Sequence, residues 1–313
     1  MLRGVLAKPW IWSFLGAAAV YFAAVSSTGG HGAGSMVTAA LSLAAFSVIA
    51  GLAQLFVITL GPGNVDLSLP ANIGLASAVA MKVMQGSDAM IVPGIAAALA
   101  VGSVIGIVNY LLIRALRIPP IIATLSASFI IESADIGYGR GLQIKPPPGL
   151  AAFADLHVAG IPALAVLALL LTTVGGVALQ RMVFGRSVVA IGQNIRAARL
   201  AGVAVGRVRC ATYALCGLLG GLDGALLAAY FRGASIDLGA EYLLTSIAVV
   251  VIGGSSVAGG RSNVAGLWGA ALFLVLLQIM LNTFGADAGV RLVSTGLVII
   301  AVITFAGGPR PAR

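Results

Sequence analysis

Charge is scarce in this sequence. Only 9% of its 313 residues are charged and 60% are hydrophobic, whereas a soluble protein carries roughly 25% charged residues. That balance excludes an ordinary soluble domain. Cysteine is nearly absent: Cys210 and Cys216 lie six apart in one apolar segment, on different helical faces, and suggest neither a disulfide nor a metal site. The two histidines, His31 and His157, are isolated near expected external loops, and no H-E-x-x-H or Cys/His cluster occurs. Lysine is equally rare. None of Lys8, Lys82 and Lys145 follows a glycine, so the chain has no G-x-x-x-x-G-K-[ST] phosphate loop and does not bind ATP through one of its own. No residue set points to covalent chemistry, a cofactor or a metal.

What the sequence has is lipid-soluble length. Several apolar runs reach the roughly 20 residues that cross a bilayer as a helix. The expected fold is an all-α, polytopic transmembrane helical bundle of about ten spans, forming one domain over residues 1–313. Its 42 glycines fit close helix packing, with small-xxx-small spacings at Gly102/Gly106, Gly217/Gly221 and Gly220/Gly224. The net charge of +9 sits mostly in loops and reports orientation in a membrane rather than nucleic-acid binding.

Arg3 and Lys8 precede a first apolar run, residues 9–25. A cleaved signal peptide looks similar, but the run is long and further spans follow at once. A second span, 36–60, is broken by Gly61-Pro62-Gly63-Asn64. A third is expected from near Val65 to 82–84, and a fourth over 91–113. Pro119-Pro120 opens a fifth, proline being tolerated at a helix start. Residues 140–159 form a polar connection that cannot be helical through Pro146-Pro147-Pro148. A sixth span covers 161–179, and a seventh about 210–231. The apolar run 242–252 is short for a crossing unless flanking residues join it. Gly253-Gly254 and Gly259-Gly260 bracket a tight connection, and spans near 264–284 and 290–305 follow.

Between the sixth and seventh spans lies the most basic stretch, residues 181–209, with Arg181, Arg186, Arg196, Arg199, Arg207 and Arg209 and no acidic residue. Cationic residues gather on the cytoplasmic side of a membrane protein, so this loop is expected there. With ten crossings both termini share that side, and the basic residues divide 13 inside against five outside: Lys82, Arg140, Lys145, Arg232 and Arg291. The loop also has internal order. Asn194 can cap a helix, residues 195–201 supply two short turns, and Gly202 can take the left-handed closing conformation. Arg196 and Arg199, three apart, share a face. Such a capped cationic helix reads as a docking element; the plainer reading is that six arginines only set topology.

Ionisable and polar groups inside spans are the other pointers to function. Asp223 lies mid-span among Gly220, Gly221 and Gly224, and reads equally as an ion-coupling site or a polar group buried at a helix interface. Glu132 lies in the outer half of the fifth span with Asp135 a turn further out; a proton or cation site is one reading, but a place near the external end favours polar residues buried at a helix interface or solvated in a vestibule. Asp66 and Ser68, just past the glycine break, are suited to ordering backbone where a helix begins. Asn109, in the apolar fourth span, can bond across helices or meet a polar solute.

Taken together, these pieces resemble a known family. Gly185-Arg186-Ser-Val-Val-Ala-Ile-Gly192-Gln-Asn194-Ile-Arg196-Ala-Ala-Arg199-Leu-Ala-Gly202 resembles the cytoplasmic coupling region of bacterial ABC-importer permeases of the ribose/simple-sugar type. The resemblance continues through Tyr213 to Gly224 and through Ala248 to Gly260. Asn64-Val-Asp66-Leu-Ser68 is similar to the family's Gly-Ile-Asp-Leu-Ser, and Ile118-Pro-Pro-Ile-Ile-Ala-Thr124-Leu125 to its Ile-Pro-Pro-Phe-Ile-Ala-Thr-Leu. The departures are Leu69-Pro70 for Val-Gly, Tyr110 for a small residue, and Glu132-Ser133 for Arg-Gly; they bear on the solute rather than the fold.

The resemblance implies a type II ABC-importer-like permease in the bacterial inner (plasma) membrane, carrying a small polar solute of the sugar type, as a transport subunit rather than an enzyme. Its expected partners are cytoplasmic ATP-binding subunits that hydrolyse ATP, a second permease subunit in a homo- or heterodimer, an external or periplasmic solute-binding protein and the lipid bilayer. It implies ATPase coupling through Arg186, Gly192, Asn194, Arg196, Arg199 and Gly202, and a translocation path past Asp66, Ser68, Asn109 and Thr124. A branched-chain amino-acid or nucleoside permease is the nearest alternative; an ion-coupled secondary transporter using Asp223 or Glu132 is one of another class, although no inverted repeat is evident.

Overall fold

The computed structural model describes residues 9–141 and 144–306. It is a helical bundle: α1 (Pro9–Ser27), α2 (Ala33–Thr59), α3 (Leu69–Met84), α4 (Ile91–Leu116), α5 (Pro120–Gly139), α6 (Pro148–Asp155), α7 (Ala163–Arg181), α8 (Val183–Gln193), α9 (Ile195–Leu200), α10 (Val205–Tyr230), α11 (Tyr242–Ile252), α12 (Val264–Thr283) and α13 (Ala288–Ala306). A two-residue hairpin, β1 (His157–Val158) with β2 (Ile161–Pro162), joins α6 to α7. Seven helices are long and apolar enough to cross a membrane, and three shorter apolar ones stand at α3, α11 and within α13. These ten correspond to the ten runs read from the sequence.

Helix α2 is the hub. Nearly all of its second half is buried, from Ala44 to Thr59, and α3, α7, α10, α11 and α12 surround the same core. Helix α10 packs by its glycines. A methyl on Gly217 would lie 2.0 Å from Gly102 O, and one on Gly106 would lie 2.0 Å from Tyr213 O, so α4 and α10 meet backbone to backbone. The second stripe of α10 meets α3: Gly224 faces Ile73 O at 2.3 Å and Gly220 faces Leu69 at 2.6 Å, by the same measure. Small residues let helices approach this closely in a membrane, where packing rather than water exclusion drives association.

Four boundaries differ from expectation. The third span begins at Leu69, not Val65, because residues 61–68 are unwound and held by side chains. The sixth begins at Ala163, since Ile161 and Pro162 are in the hairpin. The seventh begins at Val205, so Arg207 and Arg209 lie on its first turns. The basic loop is largely helical: α8 fills residues that the sequence reading left as connection. The proline run behaves as expected, Pro147 flanking and Pro148 opening the short α6.

Helix α11 has 11 residues, a rise of about 16 Å, half of a bilayer core. The rest of that passage is not helical. Arg232 pairs with Asp155 at the end of the bundle where α3 finishes at Met84. From there the chain descends as turns until Gly239 presses on Pro70, where an added methyl would lie 2.0 Å from Pro70 O. Pro70 is fourteen residues before Met84, about 21 Å along α3. Helix α11 completes the passage toward Gly259, which packs on Gly61 at the opposite end.

Candidate functional site

The unwound segment 61–68 is the centre of a buried polar network. The Ser68 N–H and hydroxyl both donate to Asp66 Oδ1, at 2.9 and 2.7 Å. Asn109 Nδ2 from α4 donates to both Asp66 carboxylate oxygens at 3.3 Å and to Ser68 Oγ at 2.7 Å. Gln54 of α2 clamps the Asp66 backbone in both directions: Nε2 donates to Asp66 O at 3.0 Å, and Asp66 N–H donates to Gln54 Oε1 at 3.1 Å. Thr124 Oγ of α5 accepts the Leu67 N–H at 3.0 Å and lies 3.2 Å from Val65 O. Backbone that leaves helical form inside a membrane protein must find such partners. Asp66, Ser68, Asn109 and Thr124, read separately from the sequence, are thus brought together, and all four are buried. Gln54 escaped the sequence reading; a lone amide in an otherwise apolar span was the available signal.

The coupling candidates gather at the opposite end of the same segment. Asn194 Oδ1 accepts the N–H groups of Arg196 and Ala197, each at 3.0 Å, and so caps α9. The helix closes on Gly202 at φ 82°, with the Val203 N–H reaching Ala198 O at 3.0 Å. Only Ala198 of α9 is buried; Arg196 and Arg199 are exposed and Leu200 is 90% exposed. Arg186 is exposed on α8.

Gly192 connects the two regions. A methyl there would lie 1.9 Å from Thr59 O and 2.4 Å from Gly260 N, and the Gly260 N–H donates to Thr59 O at 3.0 Å. Gly259 meets Gly61 almost as tightly, at 2.2 Å from its Cα by the same measure. Three glycine motifs far apart in sequence therefore meet by backbone alone. Beside them Asn64 Oδ1 accepts from Arg209 Nη2 at 3.1 Å and from the Tyr213 hydroxyl at 3.2 Å. A cleft of about 380 Å³ lined by Pro62, Asn64, Gln193, Asn194, Arg196 and Arg209 opens between α9 and the unwound segment. The Asn64–Arg209–Tyr213 contacts join residues 145 and 149 apart in the chain, and no local pattern announces them.

Asp223 stands apart from this assembly. It is fully buried in α10, and neither carboxylate oxygen has a hydrogen-bond partner among the described residues. Glu132 is exposed on the outer face of α5, and Asp135 is buried on the face toward α3.

Residues 36–303 match the family described as branched-chain amino acid transport system / permease component. The chain belongs to that family. It is 31% identical over 271 residues to the autoinducer 2 import system permease protein LsrD of Photorhabdus laumondii subsp. laumondii, covering 84% of this chain and 81% of that one. It is 33% identical over 245 residues to the ribose import permease protein RbsC of Bacillus subtilis, covering 77% and 76%. The autoinducer 2 import system permease protein LsrC of an Enterobacter species is 31% identical over 250 residues, covering 80% and 73%. No solved structure matches the chain. The family permease is thus a multi-pass helical bundle with a buried polar break beside its second long helix.

Proposed function

We propose that this permease is the membrane subunit of an ATP-driven importer for a small, sugar-type solute. The observation that carries the reading is the capped, exposed α9 facing the unwound segment 61–68 across a shared cleft. A helix of six residues is not stable alone in water, and a 90% exposed leucine next to Arg199 asks for a partner surface. Arg186, Arg196 and Arg199 would engage a cytoplasmic ATP-binding subunit, with Asn194, Gly192 and Gly202 holding their geometry. Movement of α9 would pass through the Gly192–Thr59–Gly260 junction to the unwound segment. There Asp66, Ser68, Asn109 and Thr124 would frame the solute path, which a second permease subunit would complete. A binding protein outside would deliver the solute, and the basic side of the bundle would face the cytoplasm.

Relatives named for ribose and autoinducer 2 import support the solute class. The test is reconstitution in liposomes with the cognate ATPase and binding protein, using labelled D-ribose and a panel of neutral sugars. Uptake is expected only with ATP and the ATPase. Accumulation by the permease alone under a proton or sodium gradient, abolished by Asp223→Asn, would overturn the reading in favour of a secondary transporter.

A further inference from the structure

We propose that the outer half of α5 and the non-helical segment 233–241 form one wall of a water-filled path, and that its carboxylates select a neutral, hydroxyl-rich solute against anions. The inference rests on the permease reading, in which a second subunit supplies the facing wall.

Three observations carry it. The first is Glu132. The exposed faces of α4 and α7 are mainly apolar: Val104, Ile107, Val108 and Leu111 on α4, and Leu169, Leu170, Val174 and Val177 on α7. The α5 face carries Ser126, Glu132 and Ser133 among exposed Leu125, Phe129 and Ile130. Among the described residues Glu132 has no hydrogen-bond or ion-pair partner, and it lies seven residues before Gly139, about 10 Å from the helix end. A carboxylate at that depth faces a water-filled cavity rather than lipid.

The second is the segment 233–241. It lies alongside α3 down to Pro70 without forming helix or strand, yet Ser235, Ile236, Asp237 and Ala240 are exposed. Irregular backbone at membrane depth is tolerated where it is buried in protein or lines water. Exposed residues on it leave the second case.

The third is Asp135. It is only 3% exposed and accepts no hydrogen bond among the described residues. Its carboxylate and the Ile236 carbonyl converge over Gly74: a methyl there would lie 2.6 Å from Asp135 Oδ2 and 3.4 Å from Ile236 O. Asp135 thus lies where α5, α3 and the segment meet, near Asp237 and three residues from Glu132 along α5. The exposed carboxylates of Glu132 and Asp237 are suited to accept hydroxyl groups from a passing solute. Like charges along a narrow path repel anions.

The test reads the wall without needing the natural solute. Single cysteines at Ser133, Ser235 and Leu169 are placed in a chain carrying Cys210→Ala and Cys216→Ala, assembled with its ATPase in membranes. Each is treated with cationic trimethylammonium-ethyl and anionic sulfonatoethyl methanethiosulfonate, rates being normalised to a free thiol. Positions 133 and 235 should react and 169 should not. The cationic reagent should be favoured by about ten-fold, and Glu132→Gln with Asp237→Asn should remove that preference. Reaction at 133 and 235 no faster than at 169 would put the face in lipid and overturn the proposal. Reaction without charge preference would overturn the selectivity. Either result is separable from the ATP dependence of uptake, which tests the permease reading on its own.

Discussion

Gly102 of α4 and Gly217 of α10 are reciprocal contacts: a methyl on either would lie 2.0–2.1 Å from the other's carbonyl oxygen. Neither backbone can yield without separating two helices that also touch at Gly106 and Gly221. Gly217→Ala should therefore destabilise the purified permease by about 1–3 kcal/mol, the usual cost of overpacking. Gly137→Ala, on α5 with nothing within 4 Å of the added carbon, is the control. It should be neutral or slightly stabilising, since alanine favours helix over glycine. Thermal unfolding in detergent compares the two; equal melting temperatures would show that the α4–α10 seam is not under close contact.

Much of this was legible in the chain. Small-xxx-small spacings marked both faces of α10, and apolar run lengths marked the seven long and three shorter apolar helices, because each signal is local and periodic. The α9 cap was legible for the same reason: Asn194 and Gly202 act within one turn of themselves. The unwound start of α3 was less so. The glycine break announced a stop, but how far the break extends depends on Gln54 and Thr124, which bond to it from other helices. Segment 233–241 was least legible, because its descent along α3 is set by Gly239 meeting Pro70 across the fold.

Asp223 separates two accounts of energy supply. Its carboxylate is buried among glycines with no donor among the described residues, an arrangement that costs stability. If the chain is driven by ATP on a partner, Asp223→Ala should leave uptake intact and raise stability by about 1–3 kcal/mol. Loss of uptake with unchanged folding would instead assign this carboxylate a part in transport.

Asn109 should tolerate little. Its amide nitrogen serves Asp66 and Ser68 together. Asn109→Leu removes those donors while Asp66 stays buried, at a cost of about 1–3 kcal/mol. Asn109→Asp sets a second carboxylate against Asp66 and should be worse at neutral pH, with partial recovery in acid as one carboxyl binds a proton. Folded yield and melting temperature across pH 5–8 give the comparison; indifference to both substitutions would mean that the network does not hold the unwound segment.

The coupling helix gives the most direct check on the whole reading. Asn194 holds two amide donors at the start of a six-residue helix. Asn194→Ala should cost about 1 kcal/mol, small for the bundle and large for a helix of that length, whose remaining anchor is Ala198. Arg199→Glu would reverse a charge on the exposed face without touching the core. The double variant should therefore insert and fold as the wild type does. It should lose ATPase on co-purification, and hydrolysis should proceed without uptake in the complexes that remain. Gly192→Ala should act differently, because its methyl would strike Thr59 O and Gly260 N rather than the docking face. ATPase would stay bound and transport would fall. If Asn194→Ala with Arg199→Glu retains its ATPase and transports normally, the six arginines of residues 181–209 set topology and nothing more.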